Sequence, residues 1–268
     1  MESTEKKGQL VIIGGAEDHD GDCKVLREFV HYAGGDQARI AVLTAATSDP
    51  RKAGEDYRKV FERLGAKNVY VLDTVYREDS DDSEVFKILK ESTGAFFVGG
   101  DQSRIIECIK GTDLDDLLRQ RHREGMVIGG TSAGAAIMPD VMIVEGDSET
   151  NPSMDAVTMG TGMGFLPSIV IDQHFAQRGR LGRLVTALLK EPAILGLGID
   201  EDTAVVVDGD ELTVVGRGAV TIVDDSEAIY DNLDKLSGDD AIAVCGVKLH
   251  ILPHGFRFNL KTRQPISK

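Results

Sequence analysis

The chain has 268 residues, with 30 lysines and arginines against 45 aspartates and glutamates, a formal net charge of −15. That balance argues against non-specific binding to nucleic acid or to an anionic membrane, since both need a net positive surface. A hydrophobic share of 41% with 28% charged residues describes a globular chain that can bury a core without disulfide or metal staples.

Cys23, Cys108 and Cys245 are widely spaced, form no C-x-x-C pair or secretory framework, and fit a reducing compartment. Met1 to Lys7 carries no apolar stretch, so no signal peptide is expected and the cytoplasm is the expected location. No run of 18 apolar residues predicts a membrane span.

In chain order, residues 10–13 form an apolar, β-branched strand ending in Gly14-Gly15. Leu26, Phe29, Val30 and Ala33 then mark one helical face, stopped by Gly34-Gly35. Residues 39–44 are a second strand; Tyr57, Val60, Phe61 and Leu64 mark a second helix ended by Gly65. Strands follow at 69–72, 95–98 and 126–128, with the acidic stretch 78–84 read as a solvated loop. Apolar strands separated by helices predict an α/β fold with a parallel sheet covered on both faces. Ligands of such sheets bind beyond the carboxyl ends of the strands. Gly14-Gly15, Gly99-Gly100 and Gly129-Gly130 place tight turns at that rim.

Residues 169–171 and 194–199 read as further strands. Residues 204–207 and 212–215 flank Asp208-Gly209-Asp210 as a hairpin, with short strands at 219–223, 242–244 and 247–252 and a solvated loop at 224–240. The organisation expected is one domain over residues 1–268 with a β-rich C-terminal part from about 203.

Gly130-Thr131-Ser132-Ala133-Gly134 matches the G-x-S-x-G nucleophile elbow, where small neighbours let the backbone turn sharply between strand and helix. The Ala133 N–H is then a candidate oxyanion donor, and the strand end at Gly99-Gly100 offers a second from Gly100. Asp101 or Gln102 is placed to hold a polar substrate group, although Asp101 also reads as a helix cap. A serine hydroxyl needs a base. Of six histidines, His174 closes the apolar run 169–171. His19 lies in Glu17-Asp18-His19-Asp20, read as a solvated loop rather than a metal site; His31 and His122 read as structural or solvent-facing residues on helices, and His250 and His254 as part of the C-terminal strands. The orienting acid is open among Asp172, Asp200, Glu201 and Asp202. The order serine, histidine, acid departs from α/β-hydrolases. Arg178, Arg180 and Arg183 follow His174 at the start and exposed side of a helix, and in an acidic chain they point to carboxylate recognition. No dinucleotide fingerprint or P-loop is present.

Together, Gly14-Gly15-Ala16-Glu17, Gly99-Gly100-Asp101-Gln102, residues 129–135, Asp172-Gln173-His174-Phe175, the arginine-rich run 177–184 and residues 198–204 resemble the cyanophycinases of serine peptidase family S51. The resemblance implies a glutamine-amidotransferase-like, flavodoxin-like three-layer αβα sandwich with a mostly parallel central sheet. It implies Ser132 as nucleophile, His174 as base and Glu201 as its orienter, and Gln102, Asp172, Gln173, Arg178, Arg180 and Arg183 lining the substrate pocket. It also implies a cytoplasmic homodimeric exopeptidase, with no cofactor or metal, that cleaves cyanophycin into β-Asp-Arg dipeptides. Such a substrate offers carboxylates to the arginines and a guanidinium to acids such as Asp172 or Glu17. The competing readings are an S51 dipeptidase acting on α-linked Asp-X, expected to lack the arginine string, and an amidotransferase-like domain, which would carry cysteine at the elbow.

Overall fold

Four consecutive buried residues form the central strand of the largest sheet. In the computed structural model, which describes residues 7–148, 151–191, 194–232, 235–236 and 240–267, this is β1 (Leu10–Ile13). Alternation sends Leu10 and Ile12 into one core and Val11 and Ile13 into the other. Both faces are apolar, so both are covered.

The first half continues as α1 (Lys24–Tyr32), β2 (Arg39–Leu43), α2 (Pro50–Arg63), β3 (Asn68–Leu72), α3 (Ser83–Glu91), β4 (Gly94–Phe97), α4 (Gln102–Ile109), α5 (Asp113–Arg123), β5 (Val127–Thr131) and α6 (Ala133–Ala136). The hairpin β6 (Val141–Gly146) and β7 (Val157–Thr161) leads to β8 (Ile169–Gln173), α7 (Leu181–Lys190) and β9 (Leu195–Ile199). The chain closes with β10 (Thr203–Asp208), β11 (Glu211–Gly216), β12 (Ala219–Asp224), β13 (Tyr230–Asp231), β14 (Val244–Cys245), β15 (Lys248–Pro253), β16 (Arg257–Asn259) and β17 (Gln264–Ile266).

The central sheet has the order β17-β16-β11-β10-β1-β5-β4-β2-β3. Its β1-β5-β4-β2-β3 half is parallel. The C-terminal strands continue it antiparallel from β1. On one face, α1 and α2 bury Phe29, Tyr57 and Phe61 around Phe96 of β4. Each such ring contributes about 1.5–3 kcal/mol through burial alone. The opposite face is shared. Helices α3 to α6 cover its parallel half, and a second sheet, β15-β12-β9-β8, packs Ile171, Leu197 and Ile222 against Val205 and Val214 of the other half. Helix α7 then covers the outer side of that second sheet through Leu184 and Leu188.

Several expectations change on contact with the structure. Gly129 and Gly130 lie inside β5 rather than in a turn. A methyl on Gly129 would sit 2.6 Å from the Phe29 ring, so close packing is what requires a small residue there. The stretch 78–84 is a short helical turn and the start of α3, anchored by buried Ser80, whose hydroxyl donates to the Cys108 carbonyl. Of the two roles open to His122 it has the structural one: it is buried on α5, donates from Nδ1 to the Met126 carbonyl and meets Phe165 edge-on, and burial pushes its pKa down to about 4. In the stretch 224–240, Asp224 is buried against Arg263, and β13 pairs with β14. Residues 1–6 of the N-terminal stretch, and 233–234 and 237–239 of that loop, lie outside the described residues. Among the described residues no helix is long and apolar enough to cross a membrane.

Candidate active site

The parallel half of the sheet delivers Ser132. It follows β5 directly and takes φ 50° and ψ −110°, a conformation costly for a residue with a Cβ by about 1–3 kcal/mol. Its N–H donates to the Ile13 carbonyl of β1 at 3.1 Å, and its own carbonyl accepts from Ala135 and Ala136. The flanking glycines are explained by backbone contact. A methyl on Gly130 would lie 2.3 Å from the Gly134 carbonyl oxygen, and one on Gly134 would lie 2.3 Å from that of Phe97. Strand β5, helix α6 and strand β4 therefore meet with no room for side chains, and the turn leaves the serine hydroxyl pointing outward.

The second sheet delivers His174 and Glu201. His174 directly follows β8 with φ 49°, and its N–H donates to the Gly14 carbonyl at 2.8 Å. Gly15, at φ 98°, lies under the ring, where a methyl would come within 2.4 Å of Cε1. The imidazole Nε2 is 3.0 Å from Ser132 Oγ, and Nδ1 is 2.6 Å from Glu201 Oε1. A carboxylate at Nδ1 accepts a hydrogen bond from Nδ1–H, so the neutral ring carries its proton there and Nε2 is left as the acceptor for the serine hydroxyl. Glu201 follows β9 and is held by its N–H donating to the Gln177 side chain at 3.1 Å. This arrangement can move a proton from a hydroxyl to an imidazole and stabilise the imidazolium that results.

Burial holds the His174 pKa below the usual 6.5, against the opposing pull of Glu201. A base in this position must be neutral, so a lowered pKa would keep it competent to more acidic pH, and activity that depends on it would be lost as pH falls through that pKa. The acidic limb of kcat/KM is therefore expected to have its midpoint below pH 6.5. A pH-rate profile with a midpoint above 7 would contradict this assignment.

The other three acids are engaged elsewhere. Asp200 accepts from the N–H groups of Ala176 and Ala219, and Asp202 from that of Asp18. Asp172 is buried on β8 beneath the arginines. Arg183 grips it with two bonds, at 2.7 and 2.6 Å, and Arg180 adds a longer one at 3.3 Å. The expectation that these two arginines lie on an exposed helix side is thus corrected: Arg180 is 7% and Arg183 5% exposed. The helix turns them inward because β8 presents a buried carboxylate. Burial lowers the Arg180 pKa to about 10, with Asp172 opposing. Arg180 also donates to the Gln173 side chain and backbone, and Arg183 to the Gly146 carbonyl. Arg178 and Leu181 are exposed.

Across the rim, Gly99 approaches Ser132, where a methyl would lie 3.4 Å from the serine Cβ. Gly100, at φ 146°, is pressed against the Ala46 carbonyl. Asp101 caps α4 by accepting from the Ser103 N–H, and Gln102 donates its side-chain amide to the Ile143 and Val144 carbonyls. Ala133 opens α6 directly after the serine. Among the described residues no group of three or more His, Cys, Asp or Glu side chains is arranged to hold a metal ion.

Sequence reasoning missed Gln177 as the support of Glu201. It also missed the role of Glu17, which is buried and accepts hydrogen bonds from Thr131 and Tyr57 instead of facing a substrate. Its only signal was its place two residues after a glycine pair.

Residues 10–215 match the family described as Peptidase family S51. The chain belongs to this family and is a peptide-bond hydrolase. Among curated relatives, a protein named cyanophycinase from Geminocystis herdmanii is 41% identical over 263 residues, covering 97% of each chain. Another of that name, from Trichormus variabilis, is 40% identical over 259 residues, covering 96% of this chain and 87% of the relative. The solved structure of a peptidase from an acI-B1 Actinobacterium superposes with a TM-score of 0.67 at 22% identity, covering 96% and 98% of the two chains, and shares the fold.

Proposed function

We propose that this peptidase hydrolyses cyanophycin to β-Asp-Arg dipeptides as a serine exopeptidase. The observation that carries the reading is a serine–imidazole–carboxylate relay, at 3.0 and 2.6 Å, in a chain 41% identical along its length to a protein named cyanophycinase. In this reading Ser132 Oγ attacks the peptide carbonyl carbon while His174 Nε2 takes its proton. The carbonyl electrons move to oxygen, where the N–H groups of Ala133 and Gly100 receive the charge. Collapse expels the amine, which takes the proton from His174. A water activated by the same imidazole then hydrolyses the ester. Glu201 holds the ring and stays ionised throughout. No cofactor takes part.

Asp172 aligns Arg180 and Arg183, and their remaining N–H groups join Arg178, Gln173, Gln102 and Asp101 in receiving the substrate's carboxylates and guanidinium. The enzyme is further proposed to act in the cytoplasm as a homodimer. Three free thiols support the first. The second is supported by Ile229, Leu249 and Ile251, large apolar side chains that are exposed around β15, the edge strand of the second sheet.

Incubating the protein with cyanophycin granules and analysing the soluble fraction by mass spectrometry should show β-Asp-Arg as the dominant product. Intact granules together with cleavage of an α-linked Asp dipeptide would instead move the activity to that substrate.

A further inference from the structure

Glu17 is a buried carboxylate with every oxygen engaged. Oε2 accepts from the Thr131 hydroxyl at 2.6 Å. Oε1 accepts from the Tyr57 hydroxyl and lies 3.6 Å from His19 Nε2. Burial raises its pKa, yet the net direction is downward, because His19, Thr131 and Tyr57 all favour the charged form. An ionised carboxylate in a core is costly and persists only when paired and hydrogen-bonded. Thr131 is the last residue of β5 and immediately precedes Ser132, so its hydroxyl ties the end of the strand to Glu17 at the point where the backbone turns into the elbow.

The loop that carries Glu17 touches the neighbourhood of the other two members of the relay as well. The Gly14 carbonyl accepts from the His174 N–H at 2.8 Å, and the Gly15 carbonyl from the N–H of Asp202, next to Glu201, at 2.9 Å. The Asp18 N–H returns a bond to the Asp202 carboxylate at 3.0 Å. Residues 14–18 thus brace serine, histidine and glutamate from one side, and Glu17 is the charged member of the brace. A backbone held in a sparsely populated conformation, as at Ser132, persists only when its surroundings over-determine it.

We propose that Glu17 is a positioning residue for the serine: through the Thr131 hydroxyl it holds the elbow backbone so that Ser132 Oγ stays aligned with His174 Nε2. The proposal rests on Ser132 being the nucleophile.

Two readouts test it, hydrolysis of cyanophycin and the rate at which Ser132 is modified by a fluorophosphonate, which needs no knowledge of the substrate. Thr131→Val and Glu17→Gln are each expected to lower kcat by about 10- to 100-fold, the scale of a small misplacement of reacting groups. KM should stay within about twofold, because substrate binding is untouched. Fluorophosphonate labelling should slow in parallel. Thr131→Ser keeps the hydroxyl and should restore both rates, while the double variant should lose little more than either single one. A folded Thr131→Val protein with the wild-type kcat and labelling rate would overturn the proposal, and so would a Thr131→Ser variant as slow as Thr131→Val. If Glu17→Gln does not fold, the two Thr131 variants decide alone. Wild-type protein that is labelled at Ser132 but leaves cyanophycin intact would remove the substrate reading, and the labelling rates would still judge Glu17.

Discussion

Ser132→Ala should lower hydrolysis by about 10⁴-fold or more and leave the protein folded. The hydroxyl makes one side-chain hydrogen bond, to His174, and every other bond of the residue is made by its backbone. Alanine keeps the Cβ, so the strained turn is neither relieved nor worsened. The loss of one partly buried hydrogen bond changes stability by about 1 kcal/mol. Product release followed by mass spectrometry, beside a urea unfolding curve, checks both halves. A variant with substantial residual turnover would remove Ser132 from the role of nucleophile, and one that unfolds would show that the hydroxyl holds the elbow together.

The second large effect concerns stability. Asp172→Asn should destabilise the fold by about 3–5 kcal/mol, the cost of leaving buried charge without its partner. The substitution keeps the shape of the side chain but removes the charge that two buried guanidinium groups share. Surface pairs in the same chain set the contrast. Lys52 and Asp56 are exposed on α2, and breaking that solvent-screened pair should leave stability nearly unchanged. Urea midpoints for Asp172→Asn and Asp56→Asn, measured side by side, give the comparison. A shift at Asp172 as small as that at Asp56 would show that solvent reaches the cluster. For the same reason Arg180→Ala and Arg183→Ala should lower stability as well as turnover, which the sequence reading of exposed arginines did not anticipate.

The parallel half of the sheet was legible because each strand is apolar along its length and each helix has one apolar face. β1 matches its expected bounds, and β2, β3 and β4 fall within one residue of theirs. The elbow was legible because its small residues are required by backbone contact, a constraint written directly into sequence. The second sheet was not. Its strands come from residues 169–173, 195–199, 219–224 and 248–253, and nothing local in them says that they leave the first sheet and stack on it. Burial of Arg180 and Arg183 was hidden for a similar reason. Helical spacing shows which side of α7 is apolar, but it does not show that the neighbouring strand carries a buried acid. Among Asp172, Asp200, Glu201 and Asp202, spacing alone left the partner of His174 open; distance separates them.

β1 lies between β5 and β10, so its two edges are closed by segments that begin at residues 127 and 203. Pairings between residues so far apart in the chain form late and slow folding. During synthesis the amino-terminal strand therefore waits with one edge uncovered until the hairpin of β10 and β11 has been made. Glu201 and the Gly14 carbonyl that braces His174 are brought together by that same closure. A growing chain that has not reached residue 203 therefore lacks both the cover for the second edge of β1 and the strand that follows Glu201.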